Sequence, residues 1–313
     1  MVDYVNKWGA KTNFKAKELI TMIGVSKSTY HHWKGRYGKP NEHNGKVPRD
    51  WWLTPDEKKA IVDYYDQHPL EGYRRLTYMM LDADVVAASP ATVYRILKEA
   101  GRMGKRSTKA SRKGKGFHQP TEAHQHWHID ISYINAGGTF YYLITVMDGF
   151  SRVIVHHDLR ESMKEFDVEV VLQGAREKHP DATPRIISDN GPQFLAGDFK
   201  SFIRQSGMTH VRTSPYYPQS NGKLERWHSS LKQECVRPSA PRDGDEARQK
   251  IAAYVEHYNT ERLDSAIGYI TPADRMAGKT EEIQQARDRK LETARQRRKA
   301  EAKARRLVAV PAD

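Results

Sequence analysis

His126-Trp127-His128-Ile129-Asp130-Ile131-Ser132-Tyr133 decides the fold. Polar and apolar side chains alternate through it, the two-residue period of a strand with a face in a core, and an acid sits at its centre. A lone Asp in a strand usually marks an edge or a turn, so the sequence around it has to explain Asp130. Phe140 to Met147 is nearly continuously apolar, as in a strand buried on both faces. Ile154 to Leu159 makes a third strand after a turn at Asp148-Gly149-Phe150-Ser151-Arg152. A helix from about Ser162 to Lys178 leads to a short strand, Arg185 to Ser188, and further helices are predicted over Ala196 to Gln205, Asn221 to Gln233 and Asp245 to Tyr258. Three meandering strands, a helix and another strand predict a mixed α/β sheet with helices on its faces.

Two more acids give Asp130 company. Asp189 follows the short strand in Ile187-Ser188-Asp189-Asn190-Gly191-Pro192, and Glu225 lies one turn into a helix in Asn221-Gly222-Lys223-Leu224-Glu225-Arg226-Trp227-His228, with 35 residues between them. A strand centre, a neighbouring strand end and a helix packed across them can converge on one point. Clustered carboxylates suit hard divalent cations, and a pair of such ions catalyses phosphodiester displacement. His126 and His128 share a strand face with Asp130; packing or ordinary hydrogen bonding is the first expectation for them, orienting a metal-bound water the second. Asp148 before Gly149 reads as a turn acid rather than a fourth ligand. His228, three residues after Glu225, is in reach of that carboxylate. Asn221, Lys223 and Arg226 surround Glu225 and are candidates for DNA contacts as well as for simple solvent exposure. Ser214 to Gly222 is rich in turn formers and is expected to order when DNA binds.

Composition narrows the partner. The 313 residues carry a formal net charge of +13, which attracts polyanions over long range. Nucleic acid is therefore the expected partner. No apolar run approaches the roughly 20 residues of a membrane span, and the N-terminus lacks the apolar core of a signal peptide. A single cysteine, Cys235, excludes an internal disulfide and a multi-cysteine zinc site, and fits a reducing cytoplasm.

The N-terminal third is helical. Phe14 to Met22, Gly24, and Ser26 to about Arg36 read as two helices around a turn, with Ser26 as cap and Gly24 in a left-handed bend. The second carries Lys27, His31, His32 and Lys34 outward and places Tyr30 and Trp33 at a spacing that can face inward; this resembles a helix-turn-helix, although a hairpin that only packs is an open alternative. Thr54-Pro55 starts another helix with Ile61, Tyr64 and Tyr65 on its apolar face, and Glu71-Gly72-Tyr73-Arg74-Arg75 opens one running to about Leu81. Ser89-Pro90 is a strong start signal for the next. In it Val93, Ile96, Leu97 and Ala100 form a buried stripe, leaving Thr92, Arg95 and Lys98 outward as a recognition helix presents them. Arg102 to Lys115 holds seven Lys or Arg and no acid, Arg102, Lys105, Arg106, Arg112 and Lys113 among them, as a basic linker tracking phosphates would. Lys279 to Leu307 carries eleven Lys or Arg against five acids without a sustained heptad, so a long basic helix and a solvated tail both fit.

These motifs together resemble the bacterial insertion-sequence transposases with an integrase-like core, closest to the IS three family. The Asp130 strand, the Asp189 segment and the Glu225 helix resemble the catalytic core; Glu71 to Arg75 and the Ser89 helix resemble the helical DNA-binding segment before it; Tyr258-Asn259-Thr260-Glu261-Arg262 and Gly268 to Asp274 resemble its C-terminal signature. Leu263-Asp264 departs from the Pro-His common at that place. The resemblance implies an RNase H-like, retroviral-integrase-like core preceded by all-α helix-turn-helix DNA-binding domains, divided as 1–47, 48–101, a basic linker 102–120, the core 121–278 and a basic segment 279–313. It implies a Mg²⁺-dependent polynucleotidyl transferase in which Asp130, Asp189 and Glu225 hold two ions, Mn²⁺ substituting. DNA contacts are then expected from Lys27, His31, Lys34, Arg74, Arg75, Thr92, Arg95, Lys98, the linker cations, Asn221, Lys223 and Arg226. The partners would be double-stranded DNA, as transposon ends and target, and further copies of the chain in a dimer or tetramer, in the cytoplasm at the bacterial nucleoid. A sequence-specific regulator would leave the acids unexplained, and a plain RNase H-like nuclease would leave the N-terminal helices without a role. A retroviral-type integrase would need an N-terminal zinc site that one cysteine cannot build.

Overall fold

β1 (His126–Ala136), β2 (Thr139–Asp148), β3 (Ile154–Arg160), β4 (Arg185–Ser188) and β5 (Thr209–Arg212) form one sheet in the order β3-β2-β1-β4-β5. This is a computed structural model, and it describes residues 1–38, 49–104, 119–212 and 222–308. β3, β2 and β1 run antiparallel as a meander, while β1, β4 and β5 are parallel. Gly137 makes the β1–β2 turn possible: its φ is +57°, and a Cβ there would collide with the Arg242 carbonyl. The four predicted strands are present. β5 was not foreseen, because Thr209-His210-Val211-Arg212 is too short and too polar to announce a strand; its pairing with β4 supplies what its own sequence lacks.

Side-chain alternation sorts the sheet into two apolar cores. Trp127, Ile129, Ile144 and Ile186 pack with Val168, Val171 and Leu172 of α7 (Glu165–Lys178) and with Phe199 and Ile203 of α9 (Gly197–Gln205), which follows the short α8 (Pro192–Leu195). On the opposite face Ile134, Leu143, Met147 and Leu159 pack with Leu224, Trp227 and Leu231 of α10 (Gly222–Leu231) and with Ile251, Val255 and Tyr258 of α12 (Gly244–Thr260). A π-helical turn at Lys232–Val236 and the brief α11 (Arg237–Ser239) connect α10 to α12, and α13 (Pro272–Met276) follows α12.

Met1–Trp52 forms a separate compact unit of three helices, α1 (Val2–Lys11), α2 (Ala16–Met22) and α3 (Lys27–Gly35). Gly24 takes φ +69° before α3, and the Ser26 hydroxyl accepts from the Thr29 amide at 3.1 Å, the bend and the cap expected there. α1 is an addition to that reading; Val2 and Val5 are buried with Leu19, Ile20 and Tyr30. Trp33 corrects it. Trp33 is 40% exposed and stands outside the five buried side chains.

In the second unit, Leu53 to the C-terminus, α4 (Pro55–Gln67), α5 (Tyr73–Asp82) and α6 (Pro90–Glu99) enclose Ile61, Leu76, Met80, Val93, Ile96 and Leu97. Thr54 and Glu57 form a capping box on α4 and Ser89 caps α6. Ala100 was expected in the buried stripe; it is the exposed C-cap, where the helix has already ended.

α14 (Thr280–Val308) packs back on this helical segment. Arg287, 3% exposed, donates to both Asp82 carboxylate oxygens at 2.8 and 2.6 Å and to the Tyr269 carbonyl at 2.8 Å. Arg298 donates to Glu57 and to the Ala87 carbonyl. Burial raises the Glu57 carboxyl, yet the hydrogen bonds from Arg298 and the Thr54 amide outweigh it and hold it below its ordinary value. Removing a buried guanidinium while its partner stays solvated costs the charge-assisted bonds, so Arg287→Ala should lower the unfolding free energy by about 2 kcal/mol. It should also expose α14 to trypsin in native-state digestion. An unchanged denaturation midpoint and digestion pattern would show that α14 is not anchored there.

Candidate active site

Strand register positions the first two acids. β1 and β4 pair as His126↔Arg185, Trp127↔Ile186 and His128↔Ile187. Two residues past the last pair on either strand come Asp130 and Asp189, so one offset sets them level on neighbouring strands. Asp189 sits just after β4, exposed, and its Oδ1 accepts the Gly191 amide at 2.9 Å, an Asx turn that sends the chain into α8.

A polar row crosses the sheet through Asp130. Asp130 pairs with Thr145 on β2, and Thr145 pairs with His157 on β3. Directly opposed residues share a face, here the face covered by α10. His228 of α10 bridges the row: its Nδ1 is 3.5 Å from Asp130 Oδ2 and its Nε2 is 3.3 Å from Thr145 Oγ1. This corrects the expectation that His228 reaches Glu225. His228 is buried beside Trp227 under the helix, whereas Glu225 is exposed one turn earlier. His157 is held neutral by burial, with His156 and Lys178 adding to the effect, and its pKa falls to about 4.

Glu225 makes no hydrogen bond or ion pair among the described residues, although Arg152, Lys223 and Arg226 line the same pocket. Lys223 points the other way. Its ammonium donates to the Gly149 carbonyl at 2.8 Å, and burial together with Arg152 lowers its pKa to about 7, against the pull of Asp148. Asp148 is fully buried and accepts the His124 amide at 2.8 Å and the Ser151 amide and hydroxyl at 2.7 and 2.6 Å, as a turn acid does. His126 and His128 are buried at 8% and 1% exposure. The backbone thus sets two acids level and carries the third on the helix above them, but no three His, Cys, Asp or Glu side chains among the described residues stand close enough together to hold a metal ion.

The remaining candidate residues are spread along the chain. Lys27, His31 and Lys34 are exposed on α3, and Arg95 and Lys98 are exposed on α6 with Thr92 half-buried. Arg74 is exposed, its guanidinium over the Tyr73 ring. Arg75 is half-buried, paired with Glu71 at 2.5 Å and donating to the Leu263 carbonyl at 2.9 Å. Arg102 forks onto Asp66 at 2.8 and 2.7 Å. Lys105, Arg106, Arg112, Lys113 and Asn221, and most of the loop expected to order on DNA, lie outside the described residues. Arg152 and Thr145, which sequence reasoning passed over, belong to the site; only their register and turn reveal it.

Integrase core domain models match residues 120–218 and 206–272. The transposase for insertion sequence element IS904 of Lactococcus lactis subsp. lactis (strain IL1403) is 30% identical over 150 residues, 47% of this chain and 59% of that protein. The 31 kDa protein of insertion element IS600 of Shigella sonnei is 25% identical over 270 residues, 82% of this chain and 96% of that one. Among solved structures, the HTLV-2 integrase catalytic core in complex with magnesium aligns with a TM-score of 0.41 at 17% identity, over 50% of this chain and 98% of that chain. The matched models and the mixed five-stranded sheet define an RNase H-like integrase core. These matches are consistent with an insertion-sequence transposase, and the chain spans 59% of the length of the IS904 relative.

The buried row has a pH signature. His157 has its folded pKa below the unfolded value near 6.5, so the unfolded chain takes up a proton first. The stability that neutral His157 contributes is complete above about pH 6.5 and drains away as pH falls toward about 4, by about 3 kcal/mol at most. His157→Gln should flatten that part of the stability–pH curve measured by urea unfolding; an unaltered slope would mean that the residue is solvated.

Proposed function

We propose that the chain is a DDE transposase that binds the terminal inverted repeats of its element, cleaves a strand at each end and transfers the freed 3′-hydroxyl to another phosphodiester. The level placement of Asp130 and Asp189, with Glu225 on the helix whose His228 reaches Asp130, is the observation that carries this reading. The chemistry of the donor set suits a divalent ion, three carboxylates in a basic protein with none paired to Arg or Lys among the described residues, although the three side chains stand apart in this structure. Bound Mg²⁺, two ions with Mn²⁺ as substitute, would stabilise the attacking and leaving oxygens of an in-line displacement. His228 fixes the direction of the Asp130 carboxylate, Thr145 fixes His228, and the Gly191 amide holds Asp189. α3 and α6, with Arg74, Arg95 and Lys98, would read and grip duplex DNA, the basic linker 102–120 would follow its phosphates, and Lys223, Arg226 and Asn221 would position the end beside Glu225. The functional division is 1–47, 48–101, 102–120, 121–278 and 279–313. Bringing two ends together calls for a dimer or tetramer. The site of action is the nucleoid, and no helix among the described residues is long and apolar enough to cross a membrane.

Strand cleavage and joining on labelled DNA carrying the element's ends, with Mg²⁺, tests the assignment. Glu225→Gln should reduce both activities by more than about a hundredfold, beyond the loss that follows when a ligand's outer partner is removed, while DNA affinity stays intact. Equal activity in the variant would remove Glu225 from the mechanism.

A further inference from the structure

Ser188 is fully buried where β4 ends, and its hydroxyl meets two partners. It donates to the Asp189 carbonyl at 2.8 Å and lies 2.9 Å from Nε2 of His210 on β5. A hydroxyl carries one proton, and here that proton goes to Asp189, so the contact with His210 is a hydrogen bond only when Nε2 carries its own hydrogen and donates. Burial, with Arg212 and Lys200 adding to it, lowers the His210 pKa and favours the neutral ring. The three groups form a directed chain from imidazole to hydroxyl to carbonyl.

Strand register builds that chain. Ile186 pairs with His210 and Ser188 with Arg212, the last pair of the β4–β5 ladder, so His210 reaches Ser188 diagonally along one face, a span its side chain can cover. That face is the one packed by α7 and α9, where Phe199 stands edge-on to the imidazole at 5.2 Å between ring centres and 83° between planes. Alternation turns Asp189, one residue on, toward the opposite face, the side of Asp130 and α10. Its carbonyl comes just after the ladder has stopped, and the Ser188 hydroxyl makes the bond that the ladder no longer can. A buried Ser–His pair that only satisfied its own polar atoms would not need the backbone of the acid. The plane of the peptide after Asp189 also sets where the Gly191 amide stands, and that amide holds Asp189 Oδ1 at 2.9 Å. Fixing the carbonyl therefore fixes the carboxylate.

We propose that His210 is a positioning residue for Asp189: acting through Ser188 from the α7 side of the sheet, it locks the peptide that follows the acid and so holds the carboxylate in one direction for a divalent ion. The proposal rests on the metal-site reading of Asp189 above, and it gives β5 a task beyond pairing with β4.

Two variants of the full-length protein test it. His210→Phe keeps a ring against Phe199 and loses the donor, whereas His210→Gln keeps an N–H near the place of Nε2. In native-state hydrogen exchange in EDTA, His210→Phe should speed exchange of the Gly191 amide by about tenfold, the size of one hydrogen bond, and His210→Gln should restore it, with the β1 amides unchanged in both. In strand joining, His210→Phe should raise the half-saturating Mg²⁺ concentration by about tenfold and leave the rate at saturating Mg²⁺ near that of the intact protein, as loss of a ligand's outer partner does. Equal Gly191 exchange in His210→Phe overturns the proposal, and so does a slower saturated rate with an unmoved Mg²⁺ midpoint. Faster Gly191 exchange in a protein that joins no strands keeps the chain from His210 to Asp189 and sinks the transposase reading alone. Should His210→Phe fail to fold, Ser188→Ala decides: the same shifts in exchange and Mg²⁺ midpoint support the proposal, and their absence overturns it.

Discussion

The offset between β1 and β4 governs the core. Parallel pairing fixes His128 opposite Ile187, and because side chains alternate, a slip of one residue would turn Asp130 toward α7 while Asp189 stayed in place. The register is held by what each face buries. Trp127 and Ile129 fill the α7 side, Ile134 and Ala136 fill the α10 side, and neither set can exchange without exposing apolar surface on one face and burying polar groups on the other. Asp130 is thus kept on the α10 face by its apolar neighbours rather than by its own bonds. Its carboxylate then needs only His228 to set its direction.

The β2–β3 turn does for the helices what register does for the strands. Lys223 binds its carbonyl from α10, Asn259 pins the strand that leaves it from α12, and Arg275 covers Phe150 from α13. Five residues therefore tie three helices to the sheet edge. The cost appears locally, in a buried Asp148 that needs three donors, a left-handed Arg152 and a Lys223 whose charge is penalised by burial. In a chain of net charge +13 such costs accumulate wherever cations are crowded. Among the described residues Glu225 has no cation partner, on the exposed side of α10, while Glu234 and Glu57 are engaged by arginine.

Much of this was legible in the residues because the signals were local. Ser89-Pro90 starts a helix and Thr54 with Glu57 caps one by chemistry confined to four residues, and the apolar run in β2 survives any tertiary context. The settings of the three acids were readable for the same reason. What escaped depended on distant partners: β5 is a strand because β4 lies beside it, His228 turns to Asp130 because α10 buries that side, and α1 exists because Leu19, Ile20 and Tyr30 offer Val2 and Val5 a surface. Trp33 and Ala100 fell on the wrong side for a simpler reason, since periodicity names a face but not how far a small core or a helix end extends along it.

The basic C-terminal stretch shows the limit of reading charge as partner. Lys279 to Leu307 fits from composition both a long basic helix and a solvated tail, and its arginines at 287 and 298 are spent on Asp82 and Glu57. Those acids lie at the end of α5 and the start of α4, so α14 clamps the helical segment along its length. Arg75 of the same α5 reaches the Leu263 carbonyl just beyond α12, which packs on the sheet. α6, whose outer face carries Arg95 and Lys98, is therefore connected to the acid-bearing core through hydrogen-bonded elements. A duplex gripped by α6 would meet Glu225 at a distance set by protein geometry rather than by linker length, and distance along a duplex is how a protein counts base pairs.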